Sequence, residues 1–285
     1  PGPIGSQPQM FTPLGNAVLF RASSPATGAE LWLTNGTVRG TQRLVDLHPG
    51  VADGVTRVLG RLANGLLFAG NDGTHGTELF RTDGTIAGTR LVLDLAPTIT
   101  ADAAPRPSVR LSAQLIGSGR NARSLSIFSA YDTAHGHEVW RTDGSGAGTQ
   151  RITEIGPGAT DGIPLRFQAI ASTDGRYAVF AALDPVAGIE PWVTDGTTSG
   201  TRRLVDAFPG FESSRPDHFV AHDRRVYFRA VTPLGSELWL TDGTPAGTRM
   251  VIDLNPGPES GDPSDLTPFQ GAMYFRGRST NGDDD

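Results

Sequence analysis

Cysteine is absent from this chain of 285 residues. That absence excludes a disulfide scaffold, a thiolate metal site and a cysteine nucleophile. The formal net charge is -6 and no basic stripe is present, so nucleic-acid binding through counterion release is not expected. No apolar run approaches the roughly 20 residues that cross a bilayer, so we expect no membrane span.

Helical periodicity and the familiar catalytic motifs are also missing. We find no ten-residue stretch with the 3.6-residue repeat of an amphipathic helix. Gly-x-Ser-x-Gly, a phosphate loop and His-Glu-x-x-His do not occur either. The sequence therefore predicts an all-β protein, assigns no catalytic residue, and favours a protein that is not an enzyme without settling that question.

The chain does contain one sequence segment that is repeated five times. Each copy has a Gly-x-Glu start and a Gly-Thr end, and the copies cover 28–41, 76–89, 136–149, 188–201 and 235–248. The shared glutamates are Glu30, Glu78, Glu138, Glu190 and Glu237, at steps of 48, 60, 52 and 47 residues. Self-similarity at this period indicates a propeller or a solenoid.

Each repeat reads as four short strands, A to D. In the first repeat, Gln9–Leu14 and Ala17–Ala22 form A and B around a Gly-Asn turn, which is a strong hairpin signal. Alternation along Glu30–Thr34 predicts strand C, and Arg43–Leu47 is predicted as strand D. Four strands per repeat of about 40–50 residues is the composition of a propeller blade.

We therefore predict an all-β β-propeller of four-stranded antiparallel blades, with five complete repeats and a sixth that has only its A–B hairpin. Residues 1–8 are expected to be a tag or linker, 9–278 a single β-propeller domain, and 279–285 an acidic tail. The predicted repeats cover about 9–50, 57–97, 108–158, 165–210, 216–257 and, in part, 266–278. One aromatic residue per repeat should be buried between blades, namely Trp32, Phe80, Trp140, Trp192 and Trp239. Pro191 should leave a local defect in its blade, because proline cannot donate to a ladder.

The motif Gly-x-Glu-Leu-Trp-x-Thr-Asp-Gly-Thr-x-x-Gly-Thr resembles the bacterial ELWxxDGT repeat family, from about residue 10 to residue 278. Its layout is also similar to the propeller repeats of the Tol periplasmic translocation protein. Departures from the motif are Asn35, Phe80, Ser145 and Pro191. The resemblance implies a bacterial protein that is secreted, periplasmic or on the cell surface, although no native signal peptide is visible. It implies no catalytic residue.

The repeated acidic residues have a structural interpretation. A glutamate in every blade is expected to accept hydrogen bonds from a neighbouring turn, since a buried carboxylate must be paired. The Asp-Gly pairs at 83, 143, 195 and 242 are expected to be hairpin turns and not metal ligands.

Variable loops are the better place for a ligand. In a propeller the B–C and D–A loops share one face, and sequence differences between otherwise equivalent loops can carry specificity. The candidate ligand-binding residues on that face are Asp72, His75, Asp132, His135 and Asp184. Oxygen ligands in such an acidic rim would suit Ca²⁺, whereas the simpler interpretation is a solvated surface. The stretched third repeat, with a connector over 98–107 and a turn over 117–124, could add a distinct pocket.

Three functions remain open from the sequence. The first is a secreted or cell-surface binding or adhesion module for protein or carbohydrate. The second is a propeller-type hydrolase or lyase whose site lies in loops on one face. The third is a structural repeat array of the cell envelope. Propellers host many functions, so the first rests partly on analogy of fold.

Overall fold

All regular secondary structure in the described part of the chain is β. The computed structural model describes residues 5–62, 65–95, 97, 110–116, 124–132, 134–156 and 169–279. In chain order the strands are β1 (Gln9–Leu14), β2 (Ala17–Ser24), β3 (Gly28–Thr34), β4 (Gln42–Arg43), β5 (Val55–Leu62), β6 (Gly65–Asn71), β7 (Thr77–Thr82), β8 (Arg90–Leu93), β9 (Arg110–Ile116), β10 (Ser124–Asp132), β11 (Gly136–Thr142), β12 (Gln150–Arg151), β13 (Ala169–Ala171), β14 (Ala178–Asp184), β15 (Gly188–Thr194), β16 (Arg202–Arg203), β17 (Asp217–His222), β18 (Arg225–Thr232), β19 (Gly235–Thr241), β20 (Arg249–Ile252), β21 (Ser264–Phe269) and β22 (Ala272–Arg276).

Each complete repeat forms one four-stranded antiparallel sheet, which we call a blade. Blades 1 to 5 hold β1–β4, β5–β8, β9–β12, β13–β16 and β17–β20, with neighbouring strands in chain order. Within the described residues the sixth repeat forms the hairpin β21–β22. The predicted all-β fold with four-stranded antiparallel sheets is confirmed, whereas the number of blades and their closure into a ring stay predictions.

The chain divides into two compact units. The first contains 1–109, 130–133 and 142–149, and the second contains 110–129, 134–141 and 150–285. The prediction of a single domain over 9–278 stays a prediction.

The core of the first unit lies between blades 1 and 2. Leu19 and Leu31 of blade 1 pack with Phe68 and Phe80 of blade 2, and all four are almost fully buried. Alternation along each strand therefore sends aliphatic residues of one blade and aromatic residues of the next to the same interface.

The second unit repeats this arrangement. Val179, Val193 and Leu204 of blade 4 pack against Phe219 and Phe228 of blade 5. A similar cluster joins blade 3 to blade 4. Stacked repeats that each bury a face on the next one are the expected source of stability in such a fold.

The repeated strand C aromatic is less buried than predicted. Phe80 and Trp140 are buried, as expected, but Trp32, Trp192 and Trp239 are only half-buried, and for these three the prediction is wrong. The fully buried aromatic residues lie instead on strand B, at Phe68, Phe128, Phe180 and Phe228. The length of the neighbouring strand D does not decide this burial, because Trp140 beside the two-residue β12 is buried while Trp239 beside the four-residue β20 is half-buried.

The repeated glutamate forms a buried hydrogen bond within each blade. Every one of the five is at most 1 % exposed. Each accepts a hydrogen bond from the backbone N–H found 17 residues later, at 2.9–3.1 Å, from Leu47, Leu95, Ile155, Ala207 and Leu254. We call this contact the glutamate joint, and it confirms that the glutamates are structural.

The joints of Glu190 and Glu237 also reach the segment that leads into strand A of the next repeat. Glu190 accepts from the N–H of Ser214 at 2.9 Å and from its hydroxyl at 2.7 Å. Glu237 accepts from the N–H of Gly261 at 2.8 Å. These bonds connect strand C of one repeat with the entry to the next.

The joint also explains why strand D is shorter than predicted. Strand D was expected over Arg43–Leu47, but β4 ends at Arg43. The N–H of Leu47 bonds to Glu30 instead of to a neighbouring strand, so the ladder cannot continue to that residue. β8 and β20 have the same joint and reach four residues, so the joint sets how far strand D can extend and not its exact length.

Pro191 leaves no defect, contrary to the prediction. The pairing of β14 with β15 runs from Ala178 to Asp184 without a register shift. At the matching position of blade 3, the Val139 N–H bonds to the Thr153 hydroxyl and not to a strand. This N–H lies outside the ladder, so proline can replace the residue there.

Candidate functional site

Asp72 and His75 meet in the B–C turn of blade 2. Asp72 Oδ1 accepts from the N–H groups of Thr74 and His75, and Oδ2 lies 2.7 Å from His75 Nδ1. Burial acts to raise the pKa of Asp72, but the hydrogen bonds from His75 and Thr74 outweigh it and lower that pKa. The hydrogen bond to Asp72 raises the pKa of His75. The two residues thus cap their own turn.

The other predicted site residues behave similarly where the structure shows their contacts. Asp184 Oδ1 accepts from the N–H groups of Val186 and Ala187, while Oδ2 pairs with Arg203 at 3.1 Å. Asp132 is buried. His135 lies in the turn that follows Asp132 and is half-buried. Thr232 occupies the position in blade 5 that corresponds to Asp72 in blade 2 and Asp184 in blade 4. Its hydroxyl also accepts a hydrogen bond from a backbone N–H of its turn.

No group of three or more metal-ligating side chains occurs among the residues that the structure describes. The proposed third-repeat pocket, at 98–107 and 117–123, lies outside those residues.

A different set of residues forms a site on the predicted face. Two cavities of about 370 and 300 Å³ open where strand A begins and strand B ends, between blade 5 and the β21–β22 hairpin. Arg229 and Asp262 line both cavities, so the two adjoin. The remaining charged lining residues are Arg215, Asp217, Arg276 and Arg278. Four arginines against two aspartates make this a cationic site in an acidic chain.

Arg229 is held rigidly by blade 5. Its Nε and Nη2 donate to the two carboxylate oxygens of Asp217 at 2.9 and 2.7 Å, a bidentate pair that fixes the guanidinium plane. His218 Nδ1 lies 2.8 Å from the same carboxylate. The charge of Arg229 is therefore neutralised by Asp217. Arg229 lines the site but does not supply a charge that a ligand could use.

Arg276 is the matching residue of the hairpin, but its partner has changed. Strand pairing places Arg229 opposite Asp217, whereas it places Arg276 opposite Ser264. Arg276 is left 3.6 Å from Asp265, and its side chain is 65 % exposed. It keeps most of its capacity to donate to a ligand.

The two further arginines are also exposed. Arg278 lies 3.6 Å from Asp262. Arg215 forms no ion pair within the described part of the chain, and its side chain faces the second cavity. A planar guanidinium suits two-point recognition of carboxylate, sulfate or phosphate oxygens.

The backbone around the site is unusual, but the repeat explains it. Arg215, His218, Asp262 and Asp265 have positive φ angles of 45°, 53°, 44° and 55°. The entry to strand A of blade 1 shows the same feature at Gln7 and Met10. The conformation therefore belongs to the irregular start of strand A, where all three repeats shift register.

Sequence reasoning missed these arginines. One signal was available, since Arg21, Arg229 and Arg276 occupy the same position of strand B in three repeats. Their convergence with Arg215 and Arg278 depends on strand register, which the linear pattern does not show.

The comparisons with known proteins show similarity of fold alone. No protein family and no curated protein matches the sequence. Among solved structures, the chain is similar to a prolyl endopeptidase (TM-score 0.51, 11 % identity) and to prolyl oligopeptidase B from Galerina marginata (TM-score 0.50, 13 % identity). Each match covers 96 % of this chain and 40 % of the peptidase, so the chain spans about two-fifths of their length. TolB from Acinetobacter baumannii matches with a TM-score of 0.42 and 12 % identity, over 93 % of this chain and 61 % of TolB. No helix among the described residues is long and apolar enough to cross a membrane.

Proposed function

We propose that this chain is a β-propeller binding module of the bacterial periplasm or cell surface, which takes a protein or carbohydrate ligand on its B–C and D–A face. The observation that carries the proposal is the pair of adjoining cavities lined by four arginines. Binding, adhesion and localisation are all part of the proposal.

The site favours a ligand with an anionic group. The Arg276 side chain is 65 % exposed, and its contact with the Asp265 carboxylate is long, at 3.6 Å. An incoming carboxylate or sulfate would gain charge-assisted hydrogen bonds from Arg276 that this contact does not satisfy. The cavity volumes of about 300–370 Å³ match one sugar ring or one side chain of a larger ligand, at the small end of ligand sites.

The test compares acidic and neutral probes by titration calorimetry. We expect oligogalacturonate or a tetraglutamate peptide to bind, and the neutral oligogalactose and tetraglutamine to bind at least tenfold more weakly. The double variant Arg276→Ala/Arg278→Ala should lose this preference. Arg39→Ala, an exposed arginine in a C–D turn, is the matched control. Equal affinity in the double variant and the control would overturn the proposal, and the better probe identifies carbohydrate or protein.

Calcium is a separate proposal for the acidic rim. If Ca²⁺ binds the folded chain, millimolar CaCl₂ should raise the melting temperature by mass action, while MgCl₂ should not. The hydrolase or lyase and the envelope array gain no observation of their own from the described residues.

A further inference from the structure

The C–D turn of blade 1 carries an asparagine where the other four turns carry aspartate. Asn35 is followed by Gly36, and both residues are exposed. A backbone nitrogen can attack the amide of the preceding asparagine most readily when it belongs to glycine, because no Cβ hinders the approach. No other part of the chain comes within 4 Å of the Cβ position of Gly36. The asparagine side chain and the nitrogen that follows it are therefore unobstructed.

The turn also polarises the amide of Asn35. Asn35 Oδ1 accepts from the N–H of Thr37 at 3.1 Å and from its hydroxyl at 2.8 Å. Negative charge develops on this oxygen when a nitrogen attacks the amide carbon, and two fixed donors stabilise that charge as an oxyanion hole does. The amide lies directly against the Cα of Gly40, which holds the side chain in this place.

The attacking nitrogen is oriented by the same hydrogen-bond network. The Gly36 N–H donates to Thr34 Oγ1 at 3.1 Å. The hydroxyl of Thr41 donates to the Thr37 carbonyl at 2.7 Å, so its oxygen must accept from the Thr34 hydroxyl. Thr34 Oγ1 is thus an acceptor toward Gly36, and it lies at the hydrogen that the nitrogen loses on attack.

The other blades show that an aspartate fits this turn. In each of them Oδ1 accepts from the N–H two residues later at 2.8–2.9 Å and from its hydroxyl at 2.6–2.7 Å, at Asp83, Asp143, Asp195 and Asp242. Aspartate at position 35 would keep these bonds. Isoaspartate would not, because its backbone runs through Cγ and gains one carbon, and the bonded oxygen becomes a backbone carbonyl.

We propose that Asn35 is a site of spontaneous deamidation, which the folded turn directs to aspartate. The Gly36 nitrogen bonds to Asn35 Cγ and loses its proton to water, and the side-chain nitrogen leaves as ammonia, which closes a succinimide. Water then adds at Cγ, whose oxygen the Thr37 donors polarise. The Cγ–N bond breaks, the Gly36 nitrogen regains a proton, and a carboxylate remains. One water is consumed and one ammonium is released, without oxidation or reduction.

The first test follows residue 35 in the full chain by peptide mapping and mass spectrometry at neutral pH. We expect faster conversion in the folded chain than in a synthetic peptide of residues 28–41, with aspartate and not isoaspartate as the main product. Asn16 is also exposed but precedes Ala17, and it should stay intact over the same time. Slower conversion than in the peptide, or isoaspartate as the main product, would overturn the proposal.

Two variants of the donor residue test the role of the turn. Thr37→Ser keeps both donors, as Ser145 does in blade 3, and should convert at the rate of the parent. Thr37→Val keeps the N–H but loses the hydroxyl, and should convert about threefold more slowly or less. An equal or faster rate in Thr37→Val would show that the turn does not promote the reaction. Melting curves will show whether both variants are folded, and the comparison with the peptide does not depend on them.

Discussion

At the residue scale, the C–D turn is a hydrogen-bond network built from four side chains and repeated in every blade. Asp195 Oδ1 accepts from the N–H and the hydroxyl of Thr197, and that hydroxyl accepts from the Gly200 N–H. Ser145 keeps the network in blade 3, and Asn35 serves in place of aspartate in blade 1. The turn therefore needs a hydroxyl and an oxygen acceptor, but not a negative charge.

Gly196 of this turn has a backbone conformation that strongly favours glycine. Its φ is +88°, where a β-branched side chain is strained by about 1–3 kcal/mol. We expect Gly196→Val to lower the free energy of unfolding by that amount in urea denaturation. Thr197→Ser should stay within about 0.5 kcal/mol, as Ser145 shows that the shorter hydroxyl suffices. Equal midpoints for the two variants would contradict this account.

The buried glutamates differ in how well their charge is satisfied. Burial raises the pKa of Glu30 to about 7, and it raises the pKa of Glu190 and Glu237 in the same direction. Glu190 accepts from the hydroxyl of Ser214, whereas Gly54 at the matching position of the first joint has no hydroxyl to offer. Without this hydroxyl donor, burial leaves the ionised form of Glu30 unfavourable.

This makes stability depend on pH. The folded chain holds the Glu30 proton to a higher pH than the unfolded chain, whose value is 4.5. The resulting stabilisation is complete below about pH 4.5 and is lost as pH rises through about 7, by on the order of 3 kcal/mol. Urea denaturation between pH 4.5 and 8 should show a shallower decline for Glu30→Gln than for the parent. Parallel pH profiles would exclude Glu30 as a source of the slope.

At the element scale, two equivalent phenylalanines report on the blade interface. Phe219 of β17 is 6 % exposed against blade 4, whereas Phe11, at the same place in β1, is 59 % exposed. Both pack against the strand B ring, at 5.7 and 5.3 Å between centroids. The two positions therefore differ mainly in whether a preceding blade covers them.

We expect Phe219→Ala to cost about 3–5 kcal/mol, the range for a buried phenylalanine. Phe11→Ala should cost well under half of that, because most of its surface is already in water. Chemical denaturation of the two variants provides the comparison. Comparable losses would mean that stacking within a blade, and not cover by the preceding blade, dominates the energy.

The sequence predicts the strands well where the signal is local. Gln9–Leu14 and β21–β22 follow from alternation and from two-residue turns that favour positive φ. The end of strand D and the tolerance of Pro191 could not be predicted. Both depend on where a single N–H finds its acceptor, which only the assembled sheet determines.

At the scale of the whole molecule, the glutamate joints should control how unfolding spreads along the repeats. Stability in repeat proteins is approximately the sum of the repeats and their nearest-neighbour interfaces. Glu190→Ala removes three hydrogen bonds, from Ala207 and from the N–H and hydroxyl of Ser214. We expect a broadened or two-step urea transition with a lower apparent m-value. The exposed Glu212→Ala should keep the parent curve, and a single sharp transition in both variants would show that the joint does not govern cooperativity.

The sequence predicts which face varies between repeats, but not which side chains line the cavities on it. Aspartates in variable loops suggested ligands, yet Asp72 and Asp184 cap turns, since the same oxygen serves either purpose. The arginines of the cavities come from β18, the end of β22 and the start of strand A, far apart in sequence. The repeat pattern identifies the face whose loops vary. The side chains that meet on that face depend on how the blades assemble.

The glutamate joint has a consequence for how such chains can evolve. Each glutamate bonds to a backbone N–H at a fixed distance of 17 residues, whether that residue is leucine, isoleucine or alanine. The contact needs the spacing and not the identity of its donor. A gene duplication or deletion that adds or removes whole repeats would thus keep every internal joint intact, while its loops remained free to diverge. Lengthening the array requires no compensating substitution at this contact.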